Sequence, residues 1–134
     1  MLTGVRSFDF SNETQLVQLI PNGENVSGLT CLGEEVIVVR KGEAEVEVYD
    51  VNSITKLRRL PVGLSWPREM TSCTQKNCLF IINCDRRLYR VDLNGRVTSW
   101  EVSGEGLHLS MAAKCNVLVT FKSASKFKAV TQNG

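Results

Sequence analysis

The feature that most constrains this chain is a self-similarity with a period of about 42 residues. The small-residue segment Gly28-Leu29-Thr30-Cys31-Leu32 leads into the apolar run Val36-Ile37-Val38-Val39. Then come Val46-Glu47-Val48-Tyr49-Asp50-Val51 and Lys56-Leu57-Arg58-Arg59-Leu60-Pro61-Val62. The same order returns as Glu69-Met70-Thr71-Ser72-Cys73, Leu79-Phe80-Ile81-Ile82, Leu88-Tyr89-Arg90-Val91-Asp92-Leu93 and Val97-Thr98-Ser99-Trp100-Glu101-Val102. A third copy begins at Leu109-Ser110-Met111-Ala112 and continues through Val117 to Phe121 and Lys126 to Thr131. Asp50 and Asp92 lie 42 residues apart, and Val36 and Leu79 lie 43 apart.

Every segment of the repeat reads as a strand. Val36 to Val39 is the short β-branched run of a strand buried on both faces. Ala44 to Val51 alternates apolar and polar with period two, the pattern of a half-buried strand. No stretch offers apolar positions three and four apart over helical length. Gly, Pro and Asn-Gly interrupt the chain every eight to twelve residues. The chain is therefore expected to be all-β, and four short strands in about 40–45 residues is the period of a propeller blade. Thr30-Cys31, Thr71-Ser72-Cys73 and Ser110-Met111-Ala112 suit an innermost strand, where blades crowd around the axis. The second strand, sandwiched between blades, explains the apolar runs at Val36, Leu79 and Val117. Rim strands carry charge, so Arg58, Arg59 and Glu101 face water. Asn94-Gly95 predicts a type I′ hairpin with positive φ at both residues. Asp50 is placed to hydrogen-bond the equivalent turn in the earlier copy.

The expected architecture is a partial β-propeller of four-stranded antiparallel blades, with a rim strand at 14–21, blades at 27–62 and 69–102, and an incomplete blade at 108–134. Val48-Tyr49-Asp50-Val51-Asn52-Ser53 and Val91-Asp92-Leu93-Asn94-Gly95-Arg96-Val97 resemble the third-strand signature of WD40-like and related YVTN- or NHL-type repeats. The resemblance covers residues 14 to 134. The Gly-His and Trp-Asp pairs of standard WD40 repeats and the paired glycines of Kelch are missing. Three blades fall short of the usual four to eight. The expectation is therefore a piece of a longer propeller, or self-association that supplies the remaining blades.

Composition narrows function mainly by exclusion. The longest apolar run, Val36 to Val39, is far shorter than the roughly 20 residues of a membrane helix, so no membrane partner is expected. Sixteen basic and fourteen acidic residues leave a net charge of +2, too balanced to announce a nucleic-acid partner. No basic, then apolar, leader opens the sequence, which points to the cytoplasm. The sequons at Asn12 and Asn25 fit an extracellular protein if the true N-terminus lies upstream. Five cysteines, with Cys73, Cys78 and Cys84 spaced unlike zinc ligands, are expected to be structural thiols.

No nucleophile motif accompanies the single histidine, His108, and it is expected simply to begin an inner strand. Gly104-Glu105-Gly106 reads as a turn between blades. Glu43, Glu45 and Glu47 read as a solvated strand face. The expectation is thus no enzyme, no cofactor and no metal. Trp66-Pro67-Arg68 joins a rim strand to the next inner strand, on the loop face by which propellers bind partners, and Arg86 should share that face. Trp and Arg are enriched at binding hot spots. A protein-interaction scaffold using Trp66, Arg68, Arg86 and His108 is the favoured function. Charge distribution supplies the alternative. Residues 1–67 hold six basic and nine acidic groups, whereas residues 68–134 hold ten basic and five acidic. Lys114, Lys122, Lys126 and Lys128 of the last blade are candidates for RNA or another anionic ligand. A ligand-binding piece of an extracellular propeller is the third reading.

Overall fold

The computed structural model describes residues 25–53, 55–102, 104, 106–121 and 127–130. The rim strand expected at 14–21, Asn12, Lys122 and Lys126 lie outside these residues. The described chain is all-β apart from one 3-10 turn, Ala113–Cys115. Strands β1 (Val26–Leu32), β2 (Glu35–Arg40), β3 (Glu45–Asp50) and β4 (Lys56–Pro61) form one antiparallel sheet in sequence order. Strands β5 (Pro67–Cys73), β6 (Cys78–Asn83), β7 (Arg87–Asp92) and β8 (Val97–Glu101) form a second sheet of the same order. Strands β9 (Gly106–Met111), β10 (Val117–Phe121) and β11 (Phe127–Val130) form a third. These sheets are the blades of a partial β-propeller.

The blades hold together because their middle strands are apolar on both faces. All of β6, Cys78 to Asn83, is buried, and so are Val36 to Val39 of β2. One core lies between the first two blades and contains Ile37, Val39, Val46, Val48, Leu79, Ile81 and Val91. A second, between the second and third blades, contains Phe80, Ile82, Leu88, Val117, Val119 and Phe121. Each such side chain contributes about 1.5–3 kcal/mol when removed from water, so the stack depends on these two seams.

Small residues let the inner strands approach. A Cβ placed on Gly28 would lie 2.7 Å from Val39 Cγ2 and 3.1 Å from Met70 Cβ. The Thr30 and Ser72 hydroxyls meet at 2.9 Å, and Ser72 Oγ donates to the Cys31 carbonyl at 3.1 Å. Thr30 and Ser72 are 42 residues apart, so positions one repeat apart become neighbours across a blade boundary.

Three expectations are corrected. Glu47 is not on a solvated face: its carboxylate accepts from the Tyr49 hydroxyl at 2.6 Å and from Arg40 Nε at 3.1 Å, and the residue is buried. A blade has protein on both sides, so strand alternation does not end in water. Glu45 is half exposed, 3.6 Å from Arg59. Cys73 and Cys115 are disulfide-bonded, their Cα atoms 5.5 Å apart, because the end of β5 and the 3-10 turn before β10 meet in the core between the second and third blades. Cys31 and Cys84 remain exposed thiols and Cys78 a buried one. At Asn94-Gly95 only Gly95 takes positive φ, at 98°. Gly95 N–H donates to Asp92 C=O, and Asp92 N–H to Arg96 C=O, giving a three-residue loop closed by a left-handed glycine. The Asp50 turn forms as expected: Asp50 Oδ2 accepts from the Asn52 and Ser53 amides and the Ser53 hydroxyl. These bonds, that of the Ser53 amide foremost, hold its carboxyl below the usual range.

Candidate interaction cleft at the junction of two blades

Antiparallel order sends the loops of the array to two ends. The β4–β5 connection and the β2–β3 and β6–β7 turns lie at one end; the β1–β2, β5–β6 and β9–β10 turns lie at the other. At the first end, where β1 starts beside β5, a cleft of about 580 Å³ opens between the first two blades. Its walls come from equivalent positions of the two repeats. Val26 and Ser27 open β1, and Pro67 and Arg68 open β5; Lys41 follows β2, and Cys84 follows β6. Trp66 stands at the rim.

The backbone at Trp66 is unusual. Its φ is +50°, and it precedes Pro67. A bulky side chain in the left-handed region is disfavoured, at a cost of about 1–3 kcal/mol. Asn25, the equivalent residue before β1, has φ +62° and tolerates it, as asparagine can. In both places the carbonyl is tied across the strand pair. Lys41 N–H donates to Asn25 C=O at 2.7 Å, and Cys84 N–H donates to Trp66 C=O at 3.2 Å. These bonds hold Trp66 in the left-handed region, and the residue is 59% exposed.

Polar groups fix the remaining walls. Arg68 Nη2 lies 3.5 Å from Cys84 Sγ. Asn83, fully buried, accepts the Asp85 and Arg87 amides on Oδ1, each at 3.1 Å. This locks the β6–β7 turn and leaves Arg86 exposed at its tip with φ +62°. Ser27 Oγ is buried and, among the described residues, has no hydrogen-bond partner.

Of the four residues expected on the loop face, Trp66 and Arg68 share this cleft, and Arg86 projects from the turn that carries Cys84. His108 does not line it. It stands one blade further on, exposed, with Nδ1 2.8 Å from Glu69 Oε2. Sequence reading missed Ser27, Lys41 and Cys84. The signal was present, since Ser27 and Arg68 are 41 residues apart and Lys41 and Cys84 are 43 apart. Of the lysines proposed for an anionic ligand, Lys114 is exposed on the 3-10 turn at the opposite end. Lys128 falls on β11. Among the described residues, no three His, Cys, Asp or Glu side chains cluster as metal ligands.

No family model and no curated protein sequence matches the chain. Solved structures do. Hydrazine synthase from Kuenenia stuttgartiensis is similar with a TM-score of 0.71 and 10% identity, over 90% of this chain and 36% of that one. A catalytically inactive virginiamycin B lyase from Staphylococcus aureus, solved with quinupristin, is similar with a TM-score of 0.70 and 14% identity. That match covers 87% of this chain and 41% of the lyase. Both neighbours have propeller-type folds, and the likeness establishes that fold for this chain. The chain thus spans well under half the length of either.

Proposed function

We propose that this chain is a non-enzymatic protein-interaction module, built from blades of the YVTN or NHL type, that binds its partner through the loop face carrying Trp66, Arg68, Arg86 and His108. The observation that carries this reading is Trp66. A large aromatic side chain is held in a disfavoured backbone conformation, more than half exposed, at the rim of a cleft that also contains Arg68. Strain of this kind persists where the surrounding structure enforces it, and it clusters at binding sites. Trp and Arg together are the side chains that most often dominate binding energy. The third-strand segments at Val48–Ser53 and Val91–Val97, which resemble WD40-like, YVTN- and NHL-type repeats alike, support the repeat class.

Site-specific photo-crosslinking tests the reading. A benzophenone amino acid replaces Trp66 in one sample and Lys76, in the β5–β6 turn at the opposite end, in another. The expected result is a discrete protein adduct from position 66 alone. Equal adducts from both positions, or none from 66, would refute a specific loop-face interaction.

A further inference from the structure

We infer that the seam between the second and third blades carries a thiol–disulfide switch, in which Cys78 and Cys115 compete for Cys73 and the bond between blades exchanges for one within the second blade. Three observations lead there. First, Cys73, Cys78 and Cys115 lie in one core cluster, together with Phe80, Val117 and Val119. Second, Cys73 has two sulfur partners within bonding reach. It is bonded to Cys115, their Cα atoms 5.5 Å apart, and it stands directly opposite Cys78 in the β5–β6 register. Directly opposed residues of an antiparallel pair have Cα atoms about 4.5–5.5 Å apart, inside the roughly 4.4–6.8 Å that disulfides span. Third, Cys73, Cys78 and Cys115 are only 1%, 0% and 4% exposed. A dissolved thiol cannot reach the bond in the closed seam, whereas the Cys78 thiol already shares its cluster.

The exchange balances without an added oxidant or reductant. Cys78 gives up its proton, and its thiolate attacks Cys73 Sγ. The Cys73–Cys78 bond forms as the Cys73–Cys115 bond breaks, and Cys115 leaves with the electron pair and takes up a proton. Burial governs the rate. It pushes the Cys78 thiol above its ordinary value; Asp92, opposite it on β7, adds to this, while Arg90 and Lys76 oppose it. Since the thiolate is the nucleophile, the closed seam keeps the switch at rest, and an opening that admits water releases it. The two states hold different things together. The Cys73–Cys115 bond spans 42 residues and ties the third blade, which carries His108, to the second. The Cys73–Cys78 bond closes only the hairpin between β5 and β6, which is already paired, and removes the covalent tie between blades. The longer loop constrains the unfolded chain more, so the bond between blades is the resting state.

Thiol mapping of the full chain tests this. The protein is oxidised with glutathione disulfide and desalted. It is then held without oxidant or reductant at about pH 7, 8 and 9, a range over which the thiolate fraction rises, with and without sub-denaturing urea. Samples are alkylated with N-ethylmaleimide in mildly acidic denaturant and mapped by mass spectrometry without reduction. The starting protein should show Cys73 linked to Cys115 and Cys78 alkylated. With time a Cys73–Cys78 peptide should appear, with alkylated Cys115 in equal amount and the number of thiols unchanged. The rate should rise about tenfold per pH unit while Cys78 stays mostly protonated. It should rise in urea and be independent of protein concentration. Cys78→Ala should keep the Cys73–Cys115 bond and reduce Cys115 alkylation to background, and Cys78→Ser should do the same as a second variant nearer in shape. Cys31→Ser with Cys84→Ser, at the two exposed thiols, should leave the exchange unchanged. Protein that keeps all five thiols after oxidation, or that bonds Cys73 to Cys78 from the outset, would overturn the inference. So would Cys115 alkylation that persists in the Cys78 variants. The same holds for a Cys73–Cys115 bond that stays unexchanged under urea conditions in which amide exchange shows β9 and β10 opening from β6.

Discussion

Replacing Glu47 by Gln isolates the energetic consequence of putting a charged alternation into a stacked blade. In the folded chain the carboxylate accepts the Tyr49 hydroxyl at 2.6 Å and Arg40 Nε at 3.1 Å. The Arg40 and Glu47 side chains are only 12% and 9% exposed. An amide in place of the carboxylate offers one acceptor oxygen, and its NH₂ group then faces a donor. Arg40 is left as a largely buried charge with no counter-charge from Glu47. Breaking a buried pair in this way costs roughly 3–5 kcal/mol. The residual exposure of both groups places this one near the lower end, about 3 kcal/mol. For a domain of this size that lowers Tm by about 10 °C.

The assay is denaturant and thermal unfolding of Glu47→Gln, of Tyr49→Phe, and of a triple variant Arg40→Met, Glu47→Leu, Tyr49→Phe. Tyr49→Phe should cost about 1.5–3 kcal/mol, one hydrogen bond to a charged group. The triple variant should recover most of the loss, because an apolar replacement of a whole buried network is close to neutral. pH provides a second check. Burial pushes the Glu47 carboxyl up, but the Tyr49 hydroxyl and Arg40 guanidinium outweigh it and hold the carboxyl below its ordinary value. A carboxyl depressed on folding adds stability that is present above its unfolded pKa of about 4.3 and is lost as pH falls through the folded one. The wild-type chain should therefore lose stability on acidification below about pH 4, and Glu47→Gln should show less of that loss. A cost under about 0.5 kcal/mol for Glu47→Gln would match an exposed pair and refute the burial argument.

Other perturbations probe the blade seams and the cleft. The Cys73–Cys115 bond closes a loop of 42 residues, so its removal by Cys73→Ser with Cys115→Ser should cost about 4 kcal/mol in unfolding free energy. Non-reducing peptide mapping should recover the linked peptides from oxidised protein. Gly28→Ala drives a Cβ to 2.7 Å from Val39 Cγ2 and 3.1 Å from Met70 Cβ. It should destabilise by about 1–3 kcal/mol in chemical denaturation. Trp66→Asn places at φ +50° a residue type that the equivalent Asn25 already uses. It should leave Tm unchanged or raise stability by up to about 1 kcal/mol, while abolishing crosslinking of a partner from the Arg68 side of the cleft.

What was legible in the sequence is what the repeat expresses directly. The apolar runs at Val36 and Leu79 marked the double-faced second strands, and both are buried. The small residues Thr30 and Ser72 marked the crowded inner strands, where their hydroxyls touch. Asp50 marked its turn. What was not legible follows from reading each strand alone. Period-two alternation says that Glu47 and Val48 point to opposite faces; it does not say that one face is water, and in a stack of sheets both faces can be covered. The Trp66 backbone was hidden for another reason: Pro67 biases its predecessor toward extended conformations, and only the neighbouring strand pair holds it left-handed.

The remaining gap closes once the period is treated as a distance in space. In a stack of equivalent sheets, residues one repeat apart occupy equivalent places on adjacent blades, so a separation of 41–43 residues predicts proximity wherever the inner strands run side by side. Thr30 with Ser72, separated by 42, obeys this rule. Ser27 with Arg68 and Lys41 with Cys84 obey it at the cleft. The cysteine pair is also 42 residues apart, but β5 ends at Cys73 where β9 ends at Met111, so its two members hold different positions in their repeats and the offset did not carry the disulfide. The same offset makes the cleft a consequence of repetition, since two copies of one blade corner face each other there. Its chemistry comes from how the copies diverged, with Asn25 in one becoming Trp66 in the other and Ser27 in one becoming Arg68 in the other.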